Sequence, residues 1–253
     1  MKNKLPNFLI VGAAKSGTSS LHNYLNQHPE VFMPSYNKEG MKVKEPRFLI
    51  KDLVQHRLHN GVWSWEEYKS LFNEVKNEIS IGESTVLYLY YYEHAIDNIK
   101  KYLGENVKII IMLRNPTDRA YSAFQHVSRG FKEQNSFEEA LKIEEGRMDK
   151  EPSLTPMVMY KEMGLYHDMV RAYKENFKNV HIIFYEVQAY RLFDCVVTCL
   201  MASNCILLES LSRLCLALHL HALPTWTNQG HHILYVLRIQ VLKLFVQSFL
   251  LHN

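Results

Sequence analysis

The stretch from residue 6 to residue 21 constrains the fold most strongly, because it joins an apolar run to a glycine turn and a helical pattern. Phe8 to Val11 is a short, unbroken apolar run, typical of a strand that is buried on both faces in a parallel sheet. From Ser20 onward the apolar residues follow helical spacing. The sequence therefore predicts a strand, a tight turn and a helix within an α/β fold.

The turn between this strand and this helix is an anion site by its chemistry. Backbone N–H groups at a helix start have no partner within the helix, and the helix dipole favours negative charge there. Gly12 and Gly17 allow close approach of a phosphate, and Lys15 adds a positive charge. An ATP-binding loop has its lysine directly after the second glycine, where this chain has Thr18. A glycine turn that merely starts a helix is the alternative.

A second stretch, residues 106–124, again predicts a buried strand that leads into a helix, with Pro116 suited to the first helical turn. An enzyme of magnesium-dependent phosphoryl transfer needs an acidic metal ligand at such a strand end, and this chain has Arg114. A nucleotide kinase is therefore the less favoured alternative. Arg114 and Ser122, two helical turns apart, can bind a second phosphate together.

Both stretches resemble one enzyme family. K-S-G-T-S-S-L at residues 15–21 resembles the 5′-phosphosulfate loop of sulfotransferases that use 3′-phosphoadenosine-5′-phosphosulfate (PAPS), and R-N-P-x-x-R-A-Y-S at residues 114–122 resembles their 3′-phosphate motif. The resemblance implies a P-loop NTPase-like fold, with a central parallel β-sheet flanked by helices. The cofactor-binding residues that it implies are Lys15, Ser16, Gly17, Thr18, Ser19, Arg114 and Ser122.

A third motif, K-E-P-R-F at residues 44–48, resembles the K-E-P-x-F segment of the heparan-sulfate-type and bacterial carbohydrate branch. In that branch the glutamate is the proposed general base, so the resemblance implies that Glu45 is catalytic and that the acceptor is a carbohydrate. Taken alone, a loop carboxylate is more often a solvated surface group. The resemblance further implies that Lys15 stabilises the leaving group, that the product is 3′-phosphoadenosine-5′-phosphate (PAP), and that no metal is required.

The segment at residues 79–85 predicts another strand and turn, and it resembles the family's G-E-x-[ST] segment beside the acceptor cleft. For Glu83, a structural role such as orienting Lys15 or a loop is an alternative to acceptor contact. Capping-box patterns predict helices that begin after Ser64 and Ser136. Further patterns predict helices over residues 93–102 and 165–177, and a strand over residues 180–184.

The character of the chain changes after Glu186. Only six of its 29 basic and 26 acidic residues lie in residues 187–253, whereas all four cysteines do. This tail lacks the basic, glycine-containing loop with which family members close over the 3′-phosphate. We therefore expect a sulfotransferase domain over residues 1–186 and an atypical segment over residues 187–253. The cysteine spacing does not form a paired C-x-x-C zinc site. A catalytically impaired domain that binds PAP or PAPS is the alternative function.

Charge and chain ends give the remaining expectations. The net charge of +3 is too small to indicate a nucleic-acid partner. The first strand begins a few residues after Met1, which leaves no room for a signal peptide and predicts a cytoplasmic protein. A Golgi-type enzyme with a truncated N-terminus is the alternative, and membrane association through the tail has weak support. The identity of the acceptor and the oligomeric state are open.

Overall fold

The protein is described by a computed structural model, which covers residues 5–34, 44–130 and 132–186. Residues 35–43 and the atypical segment predicted over residues 187–253 lie outside these residues.

A five-stranded parallel sheet forms the centre of the described chain, with the strand order β2-β3-β1-β4-β5. The strands are β1 (Phe8–Gly12), β2 (Val31–Phe32), β3 (Ser80–Ser84), β4 (Lys108–Leu113) and β5 (Val180–Phe184). In the register, Phe8 lies opposite Gly82 on one side and Lys108 on the other. The carboxyl ends of β1, β3 and β4 therefore meet at one edge, where open α/β sheets bind their ligands.

Helices of varied length connect the strands. They are α1 (Thr18–Leu25), α2 (Lys51–Val54), α3 (Trp65–Ser70), α4 (Leu87–Tyr90), α5 (Tyr92–Tyr102), α6 (Pro116–Arg129), α7 (Phe137–Lys142), α8 (Arg147–Lys150) and α9 (Tyr166–Asn176). Three short 3-10 helices, Phe48–Ile50, Pro156–Val158 and Glu162–Gly164, add to them. None of the helices in this described part is long and apolar enough to cross a membrane.

The helix starts follow local sequence chemistry. Both predicted capping boxes are present, in which Ser64 pairs with Glu67 and Ser136 pairs with Glu139. The side chain of Asn115 caps α6 by accepting backbone N–H bonds, and Pro116 occupies the first helical turn. The helix start therefore lies directly after Arg114, which fixes this arginine at the ligand-binding edge of the sheet.

An aromatic cluster surrounds Phe48, the last residue of the K-E-P-R-F motif. The ring of Phe48 stacks on Tyr68 with 4.8 Å between centroids, and it contacts Trp65 at 5.6 Å and Tyr102 at 5.0 Å. Phe48 and Tyr68 are fully buried. Such aromatic pairs add about 0.5–1.5 kcal/mol each to the burial of their surface. The cluster thus anchors the C-terminal end of the segment that carries Glu45.

Candidate active site

A cavity of about 480 Å³ lies at the carboxyl edge of the sheet, within the size range of small-molecule sites. The loop after β1 forms one wall, α6 forms another, and the segment around Glu45 faces them. The residues that line the cavity include Lys15, Gly17, Thr18, Ser19, Lys44, Glu45, Ser122, His126 and Tyr185. The structure therefore brings predicted residues from three separate motifs to a single cavity.

The loop between β1 and α1 has the geometry of an oxyanion site. Gly17 has a φ of 86° at the start of α1, and no side chain among the described residues caps this helix. The first N–H groups of the helix are therefore available to a ligand. The positive φ favours glycine at this position, and a Cβ atom there would also lie only 3.0 Å from the ring of Tyr185, which is a tight contact.

Ser16 lies behind this loop rather than on the cavity wall. Its side chain is fully buried, and its Oγ has no hydrogen-bond partner within the described part of the chain. A buried hydroxyl without a partner is costly unless another group completes its hydrogen bonding. The loop thus offers helix N–H groups to the cavity, and these donors fit a phosphate, whereas the buried hydroxyl of Ser16 does not reach the cavity wall.

The end of the cavity beside this loop is electropositive. Burial, and then the charges of Arg129 and Arg114, lower the pKa of Lys15. Burial, Lys15 and Arg129 likewise lower the pKa of His126. Burial disfavours the charged form of both groups and is the larger cause, and the neighbouring cationic groups add to the shifts because each disfavours the charge of the others. A bound anion would relieve this repulsion, so the cluster favours an anionic ligand.

Arg114 lies next to the cavity rather than on its wall. Its Nη1 donates to the carbonyl oxygen of Lys15 at 3.2 Å, and its guanidinium lies over the Tyr185 ring, 4.7 Å from the centroid. The hydroxyl of Tyr166 donates to the Arg114 carbonyl at 3.1 Å. The Nε of Arg114 is buried and has no partner among the described groups, which leaves a donor for a phosphate. Ser122, the other predicted ligand of this phosphate, does line the cavity.

Glu45 reaches the cavity with a fixed orientation. Its backbone N–H donates to the carbonyl oxygen of Ser84 at 3.1 Å, and its Oε2 accepts from the N–H of Val86 at 2.9 Å. Its Oε1 forms an ion pair with Lys44. Glu45 and Arg47 have φ angles of 69° and 60°, a left-handed conformation that costs roughly 1–2 kcal/mol per residue. The surrounding bonds maintain this conformation, as expected where a side chain must be held in place.

The sequence analysis missed several cavity residues, and two of them could have been identified from the sequence. His126 follows Ser122 by four positions on α6, which places both on one helix face, so helical spacing could have identified it. Tyr185 directly follows β5 and lies at the ligand-binding edge, so the strand-end rule could have identified it. Thr155, Pro156 and Met157 also line the cavity, and no motif in their loop indicates this.

Glu83 does not line the cavity, and the option of acceptor contact therefore has no support in the geometry. Its side chain is fully buried in β3. Its Oε2 accepts from the hydroxyls of Tyr68 at 3.0 Å and Tyr88 at 3.1 Å, and its Oε1 accepts from Thr85 Oγ1 at 2.6 Å. Burial raises the pKa of Glu83 to about 7, against the opposing effect of these three hydrogen bonds.

This raised pKa predicts a pH-dependent stability. The carboxyl of Glu83 has a folded-state pKa of about 7, above its unfolded value of 4.5. Its protonated form therefore stabilises the fold fully below pH 4.5, and this contribution is lost as the pH rises through about 7. The free energy of unfolding of the wild type, relative to Glu83→Gln, should therefore fall by about 3 kcal/mol from below pH 4.5 to above pH 7. Urea unfolding of both proteins across this range measures the difference. A constant difference would contradict the prediction.

Known proteins are similar to this chain in sequence and in fold. A family model described as the sulfotransferase domain matches residues 5–196. The crystal structure of a sulfotransferase from Alicyclobacillus acidocaldarius matches with a TM-score of 0.63 and 34% sequence identity, covering 78% of this chain and 79% of that chain. Human carbohydrate sulfotransferase 15 is 26% identical over 169 residues, which cover 53% of this chain and 29% of that protein.

A further relative is human bifunctional heparan sulfate N-deacetylase/N-sulfotransferase 2, which is 29% identical over 128 residues, covering 49% of this chain and 13% of that protein. The chain thus spans less than a third of the length of these two human relatives. Because the family model matches most of the chain, the protein belongs to the sulfotransferase domain family. The family and the P-loop NTPase-like fold predicted from the sequence are confirmed.

Proposed function

We propose that this chain transfers a sulfuryl group from PAPS to a hydroxyl or amine of a carbohydrate acceptor. One observation carries the proposal: the cationic loop around Lys15 and the carboxylate of Glu45 face the same cavity. The first can bind and stabilise an anionic donor, and the second can accept a proton from the acceptor. One human relative is named as a carbohydrate sulfotransferase and the other as a heparan sulfate N-sulfotransferase, and these names support a carbohydrate as the acceptor.

The donor half of the site follows from the loop chemistry. When bound, PAPS supplies an activated sulfuryl group and PAP as the leaving group. The N–H groups of residues 17–19 would bind its 5′-phosphate, since the N–H of Ser16 already donates to the carbonyl oxygen of Ala13 at 3.3 Å. Arg114 with Ser122 would bind its 3′-phosphate. Lys15 would neutralise the charge that develops on the oxygen of the leaving group as its bond to sulfur breaks. These donors are charged or preorganised, which suits a negative charge that develops as the bond to sulfur breaks.

The acceptor half depends on Glu45. Its carboxylate would take the proton of the acceptor hydroxyl or amine as that atom attacks sulfur, which is general-base catalysis. The bonds to Val86 and Lys44 keep the carboxylate at the cavity wall. The cytoplasmic location remains a prediction, as does the division into a domain and an atypical tail.

The direct test is a transfer assay with radiolabelled PAPS and an acceptor panel of desulfated heparan sulfate, neutral oligosaccharides and simple alcohols. Transfer of label to a carbohydrate, dependent on protein concentration, is the expected result. Binding of PAP without transfer to any acceptor would instead identify a nucleotide-binding domain that lacks turnover.

Donor identity gives a separate prediction. Because Arg114 occupies the strand end where a kinase has an acidic metal ligand, PAP should bind with one-to-one stoichiometry and without a magnesium requirement. Titration calorimetry with magnesium and with a chelator should give equal affinities. Tighter binding of ATP that requires magnesium would contradict the assignment and favour a kinase.

A further inference from the structure

Glu83 lies outside the cavity, yet hydrogen bonds connect it to the segment that carries Glu45. Its carboxylate accepts the hydroxyl protons of Thr85 and Tyr88 at 2.6 Å and 3.1 Å. The same two hydroxyl oxygens accept backbone N–H groups from that segment: Thr85 Oγ1 from Arg47, and the Tyr88 hydroxyl from Leu49, both at 3.3 Å. Each hydroxyl therefore bridges the buried carboxylate and the backbone of residues 44–49.

The direction of these hydrogen bonds depends on the carboxylate. A hydroxyl has one proton to donate and lone pairs to accept with, whereas an ionised carboxylate only accepts. With Glu83 taking both protons, the lone pairs of Thr85 and Tyr88 remain available to the two backbone N–H groups. An amide at position 83 would direct an N–H group at one of these hydroxyls and disturb this arrangement.

The segment itself needs such support. Glu45 and Arg47 both have left-handed backbone conformations, which persist only where the surroundings fix them. A backbone bond to Ser84 fixes the N–H of Glu45. On the C-terminal side, the bridging hydroxyls of Thr85 and Tyr88 fix the next positions.

We propose that Glu83 is a positioning residue for Glu45: by orienting the hydroxyls of Thr85 and Tyr88, it holds residues 44–49 in the conformation that directs the Glu45 carboxylate to the cavity. The catalytic consequence rests on the proposed function, in which Glu45 is the base. The structural claim does not, because it concerns backbone amides that can be observed in the absence of turnover.

Hydrogen exchange of the full chain, resolved to single amides near pH 8, tests the structural claim. Glu83→Gln should speed exchange at Arg47 or at Leu49 by roughly tenfold, the scale for a lost hydrogen bond, according to which of the two hydroxyls the new N–H group faces. Thr85→Val should affect Arg47, and Tyr88→Phe should affect Leu49. Tyr68→Phe is the matched control, since it removes a hydroxyl from Glu83 but none from the backbone of residues 44–49. Unchanged exchange in Glu83→Gln, or equal acceleration in Tyr68→Phe, would overturn the proposal.

Kinetics then separate positioning from general structural damage. Glu83→Gln and Thr85→Val should lower kcat roughly ten- to hundredfold, as expected for a misplaced catalytic group, with an unchanged Kd for PAP. Thr85→Ser keeps the hydroxyl and should restore kcat. A parallel loss of PAP affinity and kcat would contradict positioning. Absence of transfer by the wild type would refute the proposed function, while the exchange experiment would still decide the role of Glu83.

Discussion

Lys15→Ala is expected to lower kcat at least about a hundredfold, the scale for removing one electrostatic contact to the transition state. The lysine lies on the cavity wall, in the loop where the leaving group would bind. Its charge matters most when the bond to sulfur breaks, so PAP binding should weaken less than turnover does. Steady-state kinetics and calorimetry on the same preparations measure the two effects.

Two variants make this result specific. Lys142→Ala removes an exposed lysine of α7 that does not line the cavity, and it should change neither quantity. Arg114→Ala should instead affect PAP affinity more than kcat. The affinity should weaken by about 1.5–3 kcal/mol, the scale for a lost charge-assisted hydrogen bond, and kcat should change less. If Lys15→Ala weakened PAP binding and left kcat intact, the two roles would have to be exchanged.

The lowered pKa of Lys15 adds a pH signature. Because burial and the neighbouring arginines disfavour its charge, this amine loses its proton at a lower pH than an ordinary lysine. The value of kcat/KM, which reports the free enzyme, should therefore decline on the alkaline side at a lower pH than the titration of a solvated lysine would allow.

The central sheet was predictable from the sequence because its signals are local. Phe8 to Val11 is uniformly apolar and lies in β1, and the strand predicted over residues 180–184 coincides with β5. Helix starts at Ser64 and Ser136 follow from capping boxes whose chemistry spans four residues. The helix predicted over residues 93–102 coincides with α5. One face of this helix packs into the core, because Ala95, Ile96 and Ile99 are buried.

Only those parts of the site that lie within sequence motifs were predictable from the sequence. Lys15 follows β1, and Arg114 follows β4. The βα pattern predicts that the carboxyl ends of both strands lie at one edge of the sheet, and because β1 and β4 are neighbours, the two residues are close together. The role of Glu83 could not be inferred in this way. Its hydrogen bonds to Tyr68, Thr85 and Tyr88 depend on how α3 and α4 pack against β3, and no local pattern fixes that packing.

Glu45→Gln is expected to lower kcat about 10²- to 10⁴-fold, the range for losing a general base. Glutamine keeps the size of the side chain, and its amide oxygen can still accept from the N–H of Val86, so the segment should retain its conformation. PAP affinity should remain unchanged, because the donor site lies on the other walls of the cavity.

Glu138→Gln is the matched control, since Glu138 is an exposed carboxylate in the first turn of α7 and lies outside the cavity. It should leave kcat unchanged. A Glu45→Gln variant with near wild-type kcat would show that another group takes the proton. His126 would then be the first candidate, because it lines the same cavity and its lowered pKa keeps its imidazole neutral and able to accept a proton near pH 7. The double variant Glu45→Gln/His126→Gln would decide between a single base and two that substitute for each other, since only in the second case would its loss far exceed the sum of the two single losses.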